Sequence, residues 1–152
     1  MSLAAVWAGS PVMLRERERR QQWSRVNILE KPRMLECLRM VADLTRLDAN
    51  WDGHGSAKIQ SAALSTAVGI MLQAPLEYLP MPHVCPVSGG SVGLHWRAGE
   101  RELELTVLGN GAIEYLAVPG QRLEDEASIE EGTLSPGCAG DVGRWLQWLI
   151  EA

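Results

Sequence analysis

The sequence predicts an α+β domain in which N-terminal helices precede a four-stranded antiparallel meander, and a C-terminal helix packs on one sheet face. Three observations carry this. Leu35, Leu38, Val41, Ala42, Leu44 and Leu47 recur at helical spacing. Arg101-Glu102-Leu103-Glu104-Leu105-Thr106-Val107-Leu108 alternates polar and apolar residues, as a half-buried strand does. Ser88-Gly89-Gly90-Ser91 and Gly109-Asn110-Gly111 are turn clusters placed to join hairpins.

The bounds agree with one domain. A chain of 152 residues, 46% hydrophobic and 22% charged, buries a sufficient core without metal or disulfide staples. The aromatic set is six Trp, two Tyr and no Phe. Cys37, Cys85 and Cys138 are an odd number without close spacing, which reads as reduced thiols of a cytoplasmic protein. The longest apolar run, Ala62 to Leu72, is interrupted by Ser65, Thr66 and Gly69 and is too short to span a bilayer, so no membrane role is expected. No basic region followed by an apolar run opens the chain, so no signal peptide is expected.

Charge is uneven. Residues 1–58 carry ten basic and seven acidic side chains, and residues 59–152 carry four and twelve. With a net charge of −5, a nucleic-acid partner is not expected; a basic protein partner or a second copy of the chain is.

Residues 1–31 read as a charged helical arm and residues 32–152 as the domain. Ser10 and Pro11 suit the start of a helix that runs to about Leu29. Arg15 to Arg20 gives it a solvated, alternating-charge face, and Trp23, Val26 and Leu29 could dock it. A second helix spans about Pro32 to Leu47, with Met34 and Cys37 as packing residues. A third spans about Gln60 to Leu72 and is stopped by Gln73-Ala74-Pro75. Strands are expected at His83–Val87, Val92–Arg97, Arg101–Leu108 and Ala112–Val118. Gln121 to Pro136, with its acidic run at Glu124-Asp125-Glu126, reads as an exposed loop with at most a short strand or turn. Asp141 should cap the last helix, whose buried stripe is Val142, Trp145, Leu146 and Leu149, with Trp148 beside it.

The chemistry concentrates in Asp48-Ala49-Asn50-Trp51-Asp52-Gly53-His54-Gly55-Ser56. Asp48, Asn50 and Asp52 alternate ahead of Gly53, the first half of a D-x-N-x-D-G calcium loop. The twelfth position is Ile59 instead of a bidentate Glu, so Asp48, Asn50 and Asp52 form an incomplete metal set. Turn chemistry is the leading reading. Trp51 anchors the loop, Asn50 or Asp52 bonds the turn's backbone, Gly53 and Gly55 take positive φ, and Ser56 caps the next helix.

Asn50-Trp51-Asp52-Gly53-His54-Gly55-Ser56, an Ala-rich helix, and then Gly90-Ser91-Val92-Gly93-Leu94-His95-Trp96 together resemble a group of small bacterial proteins. Those proteins share an N-W-D-G-x-G-[AS] loop and a later G-x-V-x-L-x-W strand. The resemblance covers roughly Leu35 to Val118. It implies a common fold and brings no activity with it.

Alternation places Leu103, Leu105 and Val107, with Val92, Leu94 and Trp96, on the helix side of the sheet, and Glu102, Glu104 and Thr106 on the other. A two-residue turn at Gly89-Gly90 pairs Val84 with His95 and His83 with Trp96. His83 and Cys85 then lie opposite His95, which leaves zinc too few ligands on either face.

Catalysis has little support. No H-E-x-x-H, P-loop or G-x-G-x-x-G fingerprint occurs, no serine elbow is expected, and no cofactor is implied. His54 beside Asp52 is the one acid–base candidate. The expectation is a non-catalytic protein-interaction module, self-associating or binding another protein, with Glu102, Glu104 and Trp148 as contact candidates. The rival is a divalent-metal-binding or hydrolytic protein built on the Asp48–His54 loop.

Overall fold

The structure is a computed structural model that describes residues 31–120 and 129–152. The expected helix over Ser10–Leu29, its charged face and the acidic run at Glu124–Glu126 lie outside the described residues. From Arg33 on, the described residues form one compact unit.

Helix α1 spans Pro32–Asp43 and tightens into a 3₁₀ turn over Leu44–Arg46. Pro32 suits a first-turn position, where its missing N–H costs nothing. Met34, Cys37, Val41 and Leu44 are buried, while Leu35 and Leu38 are half-buried and Ala42 is exposed. The buried stripe is therefore turned toward Met34 and Cys37, away from the Leu35–Ala42 line that leucine content alone suggests. Leu35 and Leu38 flank it. The Arg33 guanidinium donates to the Leu79 carbonyl at 2.5 Å, tying the helix start to the Pro-rich segment before the sheet.

Helix α2 spans Ser61–Gln73. It buries Ala63, Ala67, Ile70 and Met71, and the two alanines let its backbone approach the sheet closely. It ends at Ala74, which is extended because Pro75 follows. Its N-cap is Gln60, without a side-chain cap, so Ser56 does not cap it as expected.

Five strands follow, one more than the sequence suggests: β1 His83–Val87, β2 Ser91–Ala98, β3 Arg101–Val107, β4 Ile113–Val118 and β5 Glu130–Leu134. They form a meander in the order β1-β2-β3-β4-β5, with every neighbouring pair antiparallel. The stretch read as an exposed loop thus supplies an edge strand. Gly132 of β5 pairs with Tyr115, whose ring lies over it; a Cβ there would come within 2.6 Å of the phenol oxygen. The ring covers the backbone that glycine leaves bare, so the pair needs a glycine that elsewhere weakens a strand.

The β1–β2 register also differs from expectation. His83 pairs with His95, Val84 with Leu94 and Val87 with Ser91, so the loop Ser88-Gly89-Gly90 has three residues. Gly89 and Gly90 both take positive φ, at 81° and 76°. A one-residue change of register moves every side chain of a strand relative to its neighbour's faces. His83, Cys85 and His95 therefore share one face.

The helix-side face is the expected one. Val92, Leu94, Trp96, Leu103, Leu105, Val107 and Ile113 are fully buried. Both α2 and the C-terminal helix α3, Gly143–Ile150, contact β2 and β3. A 3₁₀ turn over Ala139–Val142 leads into α3, and Asp141 makes no side-chain cap, contrary to expectation. Val142, Trp145, Leu146 and Leu149 are buried as the stripe predicts. Among the described residues no helix is long and apolar enough to cross a membrane.

Candidate functional site

The Asp48–Ser56 loop closes on itself. Asn50 adopts φ 63°, a left-handed conformation that Asn tolerates better than most side chains, and Gly53 and Gly55 follow at 74° and 80°. The Asn50 N–H donates to the Ser56 carbonyl at 2.7 Å, and the Gly53 N–H donates to the Asn50 carbonyl at 3.1 Å. The Asn50 side-chain oxygen accepts from the Gly55 N–H at 2.7 Å. Asp52 Oδ1 accepts from the amides of His54 and Ser56, at 2.9 and 3.2 Å, and Asp52 Oδ2 accepts from the Ser56 hydroxyl. Ser56 is buried. Its hydroxyl serves Asp52 four residues back, and α2 starts at Ser61 with Gln60 at the N-cap position, out of reach of Ser56.

The Ser56 hydroxyl, and then the His54 amide, hold the Asp52 carboxyl below the usual carboxylate range. A carboxylate whose folded pKa is lowered contributes stability that is present above its unfolded pKa of about 4 and lost as pH falls through the folded value. Asp52→Asn should therefore lower the urea midpoint at neutral pH and narrow its gap to the parent as the pH falls through the acid limb. Equal loss at every pH would mean that the carboxylate charge plays no part.

The loop does little else with its polar groups. His54 is exposed, and it meets Asp52 through its backbone amide. Asp48 is exposed and takes no part in the hydrogen-bonded ring. Trp51 is half-buried, and its indole N–H has no acceptor among the described residues. Among the described residues no three His, Cys, Asp or Glu side chains converge as a cation-binding group, even though the register puts His83, Cys85 and His95 on one face.

That shared face is the larger polar feature. His83, His95, Glu104, Leu116 and Glu131 pair in turn across all five strands. The next row is Cys85, Gly93, Thr106, Glu114 and Thr133, and Arg97, Glu102 and Val118 form another. Glu102 lies 3.5 Å from both His95 Nε2 and Arg97 Nε. Among the described residues Glu104, Glu114 and Glu131 make no ion pair. Glu104, Thr106, Glu114, Leu116, Glu131 and Thr133 line a shallow groove beside β5.

No protein-family model, curated protein or solved structure matches this chain.

The two-residue turn would have put His83 and Cys85 on the face opposite His95, the helix side; in the structure Cys85 is half-buried and His83 exposed, both on the outer face. The Cys85 sulfur covers Gly93, where a Cβ would meet it at 2.7 Å. Burial, then the nearby Glu104 carboxylate, push its thiol pKa up. Burial does the same to Cys37. A thiol held protonated is a poor nucleophile.

Trp148 proves to be an internal contact. It is half-buried against the core, Trp145 meets it edge-on at 6.0 Å, and the Arg101 guanidinium lies 5.0 Å over its ring while donating to its carbonyl. It lies on the helix side, so it shares no surface with Glu102 and Glu104.

One motif escapes the sequence reading. Gly89-Gly90-Ser91-Val92-Gly93 does match the G-x-S-x-G spacing of a nucleophile elbow. That motif exposes its serine on a strand-to-helix turn. Here Ser91 follows a hairpin turn, opens β2 and is buried, so the context needed for a nucleophile is missing.

Proposed function

We propose that the chain is a non-catalytic protein-interaction module that works through the outer face of its sheet. The observation that carries this reading is the placement of Glu102, Glu104, Glu114 and Glu131 on one face of three adjacent strands. In this register Glu104 and Glu114 are diagonal neighbours, as are Glu114 and Glu131, at about 7–8 Å. Like charges at that spacing repel. Solubility alone calls for mixed charges on such a face, and among the described residues only Glu102 of these four lies within ion-pair distance of an arginine, Arg97.

A basic surface on another protein would relieve that repulsion, whereas a second copy placed face to face would increase it. The outer face therefore favours a foreign basic partner over self-association. The setting in a bacterial cytoplasm rests on the loop motif and the free thiols. The rival use of Asp48–His54 as a cation or hydrolytic site draws no support from the loop. There the Asn50 and Asp52 oxygens already accept hydrogen bonds from the loop's own amides and from Ser56.

Selection of short random peptides on the immobilised chain tests the reading. Enriched peptides should be rich in Lys and Arg, should bind less tightly as salt rises, and should lose binding to Glu102→Lys/Glu104→Lys while that variant keeps its fold by circular dichroism. Neutral or acidic winners, or winners that bind the double variant equally, would remove the outer face as the site.

A further inference from the structure

The sheet has two edges, and they are built differently. β1 carries Pro86, in register with Val92. A proline offers no N–H and is tolerated on an edge because it blunts further pairing. β5, Glu130-Glu131-Gly132-Thr133-Leu134, has no proline. One side of its backbone pairs with β4, and among the described residues nothing pairs with the other.

Concavities flank β5 on both faces. On the outer face lies the groove lined by Glu104, Thr106, Glu114, Leu116, Glu131 and Thr133. On the helix side a second hollow is bounded by Leu134, Gly140, Asp141 and Arg144. A strand added to β5 would lie about 4.8 Å from it and send alternate side chains to opposite faces. Residues on the outer face would stand beside Glu131 and Thr133, with Glu114 one strand further on, within reach of an extended Lys or Arg. The residues between them would turn toward Leu134 and the second hollow.

A second copy suits this edge poorly. Antiparallel pairing of two β5 strands about Gly132 would set Glu131 against Thr133, make the two Glu131 side chains diagonal neighbours, and keep Glu114 close behind each. Like charges so placed repel one another.

We propose that the edge of β5 that no described residue pairs accepts an extended segment of another protein that carries Lys or Arg at alternate positions and adds to the sheet as a sixth strand. This rests on the outer-face reading above and specifies its geometry. Main-chain hydrogen bonds supply the docking, and alternate side chains supply the selectivity.

The test uses the full chain and three end-blocked synthetic peptides: alternating Lys-Val, the same sequence N-methylated along one edge, and alternating Glu-Val. The Lys-Val peptide should bind and slow amide exchange in β5 without slowing it in β1. N-methylation removes the edge donors while leaving every charge in place, and should weaken binding by at least about tenfold. The Glu-Val peptide should not bind, and Glu131→Lys should weaken the Lys-Val peptide.

Equal binding of the methylated and unmethylated Lys-Val peptides, with loss of both on Glu102→Lys/Glu104→Lys, would overturn strand addition and leave the outer-face reading standing. No binding by either Lys-based peptide, with neutral winners in the display selection, would overturn both. A dimer in sedimentation equilibrium that protects β5 amides would make the occupant a second copy and overturn the proposal.

Discussion

Trp96→Ala should cost about 3–5 kcal/mol of unfolding free energy, the range for removing a buried aromatic. Trp96 is the largest fully buried side chain among the described residues. It sits in β2 opposite Leu103, on the two strands that both α2 and α3 contact. Sheet and helices therefore lose packing together. Against a typical domain stability of about 5–15 kcal/mol, the loss should lower the melting midpoint by roughly 10–20 °C.

Trp96→Phe should cost much less than alanine. It keeps most of the ring volume and removes an indole N–H that has no acceptor among the described residues. Trp148→Ala is the control. Its ring is half-buried and loses mainly the Arg101 stacking and the edge of Trp145, so about 1–2 kcal/mol is expected. Thermal melts by circular dichroism of the three variants make the comparison. Trp96→Ala no more costly than Trp148→Ala would mean that the core is not centred on β2.

How legible each part was in the sequence follows from how local its cause is. The Arg101–Val107 strand was legible because alternation is written in consecutive residues, and its two faces fell where expected. The Asp48–Ser56 loop was legible as a turn because Asn, Asp and Gly act on their own backbone within a few residues. Strand β5 was close to illegible. Glu, Glu and Gly are poor strand formers, and Gly132 is justified by Tyr115, a residue far from it in the chain. The outer face was half legible. Glu102 and Glu104 could be placed outward from their own strand, but Glu114 and Glu131 join them only through pairing with β3 and β4. The internal contacts of Trp148 were not legible, because nothing near it in sequence announces Arg101. The expected pairing of Val84 with His95 gave way to His83 with His95 because one extra turn residue decides the register.

That turn residue makes the second prediction. Gly90→Ala should cost about 2–5 kcal/mol, and Gly89→Ala about 1–2. Both positions have positive φ, 76° and 81°, where an L side chain costs roughly 1–2 kcal/mol. They differ in surroundings. Nothing lies within 4 Å of a Cβ at Gly89, whereas one at Gly90 would come within 2.6 Å of Gln60 Cγ and 3.0 Å of the Lys58 carbonyl oxygen.

The Gln60 side chain can move, but the Lys58 carbonyl is backbone and cannot easily follow. Its neighbour Gln60 is held by an N–H donated to the Gly90 carbonyl at 2.9 Å. Overpacking against such a fixed group adds about 1–3 kcal/mol. The excess of Gly90→Ala over Gly89→Ala in urea unfolding therefore measures how firmly the hairpin seats on the segment between the Asp48–Ser56 loop and α2. A measurable excess, with faster exchange of the Gln60 amide in Gly90→Ala alone, would show that this turn fixes both the β1–β2 register and the position of the loop. Equal costs would mean that the turn is seated by its own backbone, and that the loop owes its place to Trp51 and Ser56 instead.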